Sequence, residues 1–65
     1  MKNNFGVNLK AIRQEVGLSQ TQLAQMIGVS FKTISHWEKG YSEPTLEILE
    51  KLKSVLKVSY EDLLD

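Results

Sequence analysis

A chain of 65 residues with no cysteine, one histidine and a formal net charge of zero reads as one small domain, and it excludes disulfide staples and thiolate metal sites. A domain of this length buries only about 60% of the surface its unfolded chain exposes, so it needs well-specified local structure or an oligomeric partner. No apolar run approaches the roughly 20 residues of a membrane span and no signal-peptide pattern opens the chain, so a cytoplasmic location is expected.

Met1 to Asn4 is expected to be a flexible polar tip. The first helix then begins near Asn4 or Phe5 and ends at Val16, with Gly17 as its stop. Phe5, Leu9, Ile12 and Val16 recur at steps of four, three and four, which is one helical face, and Arg13 borders it. Ser19 with Gln22 forms a capping-box pattern, and Leu18 with Leu23 has hydrophobic-staple spacing. A second helix over 20–27 follows, closed by Gly28, where a left-handed residue is required. Val29-Ser30 repeats the start signal at once, with Val29 and Ile34 as the staple pair, and opens a third helix over 31–39. Two short helices joined by so tight a turn make a helix-turn-helix. Leu23, Ile27, Val29, Ile34 and Trp37 face inward, and Ala24 is small where the two helices approach closely.

Gly40 stops the third helix, and Pro44 holds Glu43 out of helical geometry. Thr45 can cap a fourth helix whose Leu46, Ile48, Leu49, Leu52, Val55 and Leu56 form a broad buried stripe. Lys57-Val58-Ser59 is a short break. Ser59 with Asp62, and Val58 with Leu63, repeat the cap and the staple, so residues 60–64 form a last short helix. The predicted fold is all-α, five helices around one core, spanning 1–65 as a single domain.

The zero net charge hides an asymmetry. Residues 1–40 hold Lys2, Lys10, Arg13, Lys32 and Lys39 against Glu15 and Glu38, a net +3, and residues 41–65 carry the balancing −3. The basic half contains the helix-turn-helix. On a wheel of the third helix at about 100° per residue, Ile34 and Trp37 share one side with Glu38 beside them. Lys32, His36 and Lys39 lie opposite, flanked by Thr33 and Ser35. Such a face offers the hydrogen-bond donors that a major groove rich in acceptors favours. Lys32 can serve guanine O6 and N7 or a phosphate. Phe31 can meet a thymine methyl or fold back over Ile34 and Val29. Gln20, at the first turn of the second helix, presents an amide and backbone N–H groups to a phosphate, or is simply a solvated helix start. Lys39, Tyr41 and Ser42 can grip the DNA backbone beyond the third helix, where Glu43 is an unfavourable charge. One histidine without cysteine or a second histidine makes no metal site, and no cofactor is expected.

The runs LKAIRQEVGLSQTQLAQMIGVSFKTISHWEKG, YSEPTLEILEKL and LKVSYEDLL resemble the lambda-repressor/Cro-like (Xre-type) helix-turn-helix family over about Leu9 to Leu64. The resemblance implies a compact five-helix domain that binds operator DNA, commonly as a dimer, to regulate transcription. It places Phe31, Lys32 and His36 at base-reading positions, with Ser35 a further candidate. It sets Ser30 and Gln20 at the DNA backbone or the edge of the site, and joins Arg13 and Glu38 as an ion pair between the first and third helices.

The leading expectation is a small repressor reading double-stranded DNA with residues 31–39. A homodimer would have to use this domain itself, through Leu56, Val58, Tyr60, Leu63 and Leu64, and would favour a palindromic operator; the same residues could instead simply close the core of one copy. The acidic second half leaves an alternative: a module of the same fold that binds another repressor or a toxin. Nothing resembles an enzyme, with no phosphate-cradling glycine loop, no cysteine nucleophile and no orienting partner for the histidine.

Overall fold

The structure, a computed structural model, describes residues 4–65, so Met1, Lys2 and Asn3 of the expected tip lie outside it. Five helices follow in order: α1 (Phe5–Val16), α2 (Gln20–Ile27), α3 (Phe31–Lys39), α4 (Leu46–Leu56) and α5 (Tyr60–Leu64). Each contributes one fully buried aliphatic side chain to a shared centre: Leu9, Leu23, Ile34, Leu52 and Leu63. Phe5, Ala24, Ile27, Trp37, Leu49 and Leu56 complete the core around them.

The helix starts are where the capping residues put them. Ser19, Ser30, Thr45 and Ser59 each accept a hydrogen bond from the backbone N–H three residues on. Ser19–Gln22 and Ser59–Asp62 are reciprocal capping boxes. The turn inside the helix-turn-helix depends on Gly28, which takes φ +90° while its N–H and that of Val29 both close on the Ala24 carbonyl. That conformation costs an L-residue about 1–2 kcal/mol and glycine nothing comparable. The same closure ends α4, but there the left-handed residue is Lys57, at φ 57°.

The expected burial needs three corrections. Val16 is 51% exposed, although its angle on α1 matches Phe5. Arg13, placed at the border of that face, is instead buried with it. Leu46 is 72% exposed: at the first position of α4 its Cβ leans towards the helix start, away from the core, and the buried stripe begins only with Ile48 and Leu49. Asn4, assigned to a flexible tip, donates from Nδ2 to the Asp65 carbonyl at 3.2 Å. Asn8, one turn further, donates to the Leu63 carbonyl at 3.1 Å, so α1 satisfies carbonyls at the end of the five-residue α5. On the other side of α5, the Tyr60 hydroxyl donates to Glu50 Oε1, and Lys53 Nζ lies 3.8 Å from the Tyr60 ring centre. The bond to the Glu50 carboxylate raises the Tyr60 phenol above its ordinary range.

At Gly6 the α1 backbone lies directly against that of α3. A Cβ built there falls 2.6 Å from the Trp37 carbonyl oxygen and 2.7 Å from that of Glu38, both backbone atoms. Alanine in place of glycine inside a helix ordinarily gains up to about 1 kcal/mol. Here the collision outweighs it, and Gly6→Ala should lose a net of about 1–3 kcal/mol. Lys57→Gly should do the reverse and raise the melting temperature by a few degrees, since about 1 kcal/mol shifts a domain of this size by about 4–8 °C. Thermal unfolding followed by circular dichroism reads both. A Gly6→Ala melt at or above the parent's would contradict the close packing of α1 on α3.

Candidate nucleic-acid interface

The interface is built on a buried polar junction. Arg13 Nε donates to Glu38 Oε2 at 2.7 Å and its second guanidinium arm to Oε1 at 3.2 Å, a two-point fork. Its remaining arm donates to the Leu18 carbonyl at 2.9 Å, in the link between α1 and α2. Gln20 Nε2 donates to Glu38 Oε1 at 3.0 Å. The two charged side chains are only 9% and 4% exposed, so α1, the entry to α2, and α3 are joined at one point away from water. The expected Arg13–Glu38 pair is present, and Gln20 joins it. One N–H of the Gln20 amide is engaged by Glu38, leaving the other for a ligand. Its spacing from Glu38, which depends on the α2–α3 turn, carried no sign of this role.

On this junction α3 presents its other face. Lys32, His36 and Lys39 are exposed, Ser35 is half-exposed, and Phe31 is 52% exposed rather than folded fully onto Val29 and Ile34. The opposite side of the helix, Ile34 and Trp37, is buried as the wheel predicts. Ser30 and Thr33 are partly committed to each other: Ser30 Oγ accepts from the Thr33 N–H at 3.2 Å and lies 3.0 Å from Thr33 Oγ1. Both hydroxyls keep lone pairs, but neither rotates independently. Beyond α3, the Tyr41 ring stands 5.8 Å from the His36 ring, tilted by 52°, with Lys39 Nζ 5.9 Å from its centre. Tyr41 was assigned to the DNA backbone alone; its contact with His36 was not foreseen.

The surface assigned to dimerisation is reduced. Leu56 and Leu63 are 4% and 0% exposed, closing the core of this chain, and are not available to a partner. Val58, Tyr60 and Leu64 are half-buried around them. Among the described residues no group of three or more acidic, histidine or cysteine side chains is placed to hold a metal, and no helix is long and apolar enough to cross a membrane.

A tight glycine turn between two short helices, with a donor-rich face on the second, defines a helix-turn-helix DNA-binding domain. A family model described as helix-turn-helix matches residues 9–63, and the chain belongs to that family, in its Xre-like group. Among curated relatives, the HTH-type transcriptional regulator SinR of Bacillus subtilis is 38% identical over 62 residues, 94% of this chain and 56% of the relative. The chain thus spans about half of that regulator, and as little as 16% of others. Among solved structures, the restriction-modification controller protein C.AhdI from Aeromonas hydrophila superposes with a TM-score of 0.85 at 30% identity, covering 94% of this chain and 92% of that one. Hydroxypropylphosphonic acid epoxidase from S. wedmorenis superposes with a TM-score of 0.89 at 31% identity, but this chain corresponds to only 34% of that larger protein. The curated relatives favour DNA-binding regulation over the protein-interaction alternative.

Removing one partner of a buried ion pair strands the other's charge and costs about 3–5 kcal/mol. Glu38→Ala should therefore remove most of the stability of a domain whose total is about 0.05–0.15 kcal/mol per residue. Adding Arg13→Met to the same chain should recover much of the loss, because no charge is then left buried. A Glu38→Ala melt within a degree or two of the parent's would contradict the burial of the junction.

Proposed function

We propose that this domain binds a palindromic operator as a homodimer and acts as a cytoplasmic transcriptional repressor, reading bases in the major groove with the first two turns of α3. The observation that carries the reading is the division of α3: Ile34 and Trp37 lie in the core while Phe31, Lys32 and His36 project outward from the same two turns. Recognition helices generally meet base edges with their N-terminal residues, and two-fold dimers space their half-sites about 34–36 Å apart. In this reading Lys32 and His36 donate to purine acceptors and Phe31 lies against a thymine methyl. Ser35 borders the base readers. Gln20 offers its second amide N–H to a phosphate at the entry to α2, and Lys39 and the Ser30–Thr33 pair meet the backbone on either side. With Leu56 and Leu63 committed to the core, a partner copy would pack on Val58, Tyr60 and Leu64.

Selection of bound duplexes from a random pool at near-physiological salt tests this. A palindromic motif is expected. Lys32→Ala and His36→Ala should each lose about 1–3 kcal/mol of discrimination at particular base pairs while keeping the parent's helicity. With about six phosphate contacts, log K should fall with log[salt] at a slope of roughly −5. No recovered motif, together with a flat salt dependence, would contradict the proposal.

A further inference from the structure

We infer that Tyr41 is a specificity-determining positioning residue: its ring holds the His36 imidazole in the orientation in which it meets a base. The inference rests on the proposed reading by α3 and adds to it a residue outside that helix.

His36 is exposed, and among the described residues no hydrogen bond reaches its ring; the Tyr41 ring, at 5.8 Å and 52°, is its neighbour. Both imidazole nitrogens are thus left for a ligand, but an exposed imidazole without a neighbour samples several rotamers. Ordering it on binding would then subtract from affinity for the correct base. Tyr41 removes that freedom in advance. Its backbone is fixed to the same residue, because the Tyr41 N–H donates to the His36 carbonyl at 2.8 Å as α3 closes at Gly40. The side chain then turns back over the imidazole. Tilted aromatic pairs at centroid separations of about 4.5–7 Å are attractive, so the contact favours one His36 orientation. The Lys39 ammonium, 5.9 Å from the ring centre, stands at the outer limit of a cation–π contact on the same ring. Tyr41 is itself 73% exposed, so the core does not depend on it.

Tyr41→Ala, Tyr41→Leu and Tyr41→Phe, each alone and combined with His36→Ala, are measured on the selected operator and on duplexes altered one base pair at a time. Tyr41→Ala and Tyr41→Leu should lose about 3–10-fold of discrimination at the base pair that His36→Ala identifies, and little at others. Tyr41→Phe should keep it, because the ring is retained. In the His36→Ala background Tyr41→Ala should have no further effect at that pair, since residues acting through one another are not additive. Without DNA, the His36 ring-proton resonances should carry a ring-current shift that Tyr41→Ala and Tyr41→Leu abolish and Tyr41→Phe preserves. Equal weakening on every duplex, or additive losses with His36→Ala, would overturn the inference and make Tyr41 a backbone contact. A base-specific loss in His36→Ala with Tyr41→Ala and Tyr41→Leu both silent would overturn the role of Tyr41 alone. No base-specific loss in His36→Ala would overturn the reading by α3, and this inference with it.

Discussion

The orientation of α3 depends on Glu38. Its carboxylate receives the Arg13 fork and the Gln20 amide in a space almost closed to water. Burying two charges costs several kcal/mol per ion before their attraction repays it, so a pair of this kind is poor evidence of stability. Its geometric effect is firmer. An apolar core tolerates small rotations of a helix about its axis, but a two-point fork between planar groups does not. Gly6 acts on the same stretch of backbone, bringing α1 against the carbonyls of Trp37 and Glu38. Side-chain fork and backbone contact together make α1 the support on which α3 is set.

The rest of the fold uses local signals more than once. Gly17-Leu18-Ser19, Gly28-Val29-Ser30 and Lys57-Val58-Ser59 are variants of one connector. In each, a left-handed residue ends a helix, an apolar residue half-buries against the core, and a serine starts the next helix. Short loops of this kind keep both the entropy of closure and the number of alternative packings low. They also explain how helices of eight, nine and five residues, each marginal in isolation, hold together here.

Those connectors are why the helix bounds were legible. Capping residues, glycine stops and staple spacing act over three to five positions, and a sequence displays them directly. The faces of α3 were legible for the same reason, with Ile34 and Trp37 inward and Lys32, His36 and Lys39 outward. What was hidden depends on distance through space. Val16 has the right angle for burial, but whether another helix covers that position depends on how the helices pack. For Leu56 and Leu63 the sequence left two uses open, because an apolar residue reads alike whether it closes its own core or another copy's. Gln20 looked like a free helix start because its bond to Glu38 spans the turn. Gly6 carries no sign of its role in the sequence, because the reason for it is the pair of carbonyls opposite. The family was legible as well, in the runs between Leu9 and Leu64, and the family model matches residues 9–63.

In the proposed complex α3, held by Glu38 and Arg13, meets DNA from the major groove. Methylation interference on the selected duplex is the most direct test, because guanine N7 lies in the major groove and adenine N3 in the minor. Methyl groups on particular guanine N7 atoms in each half-site should block binding, and methylated adenine N3 atoms beneath α3 should not. Interference confined to adenine N3, or absent from guanine N7 throughout a guanine-containing half-site, would contradict that placement of α3.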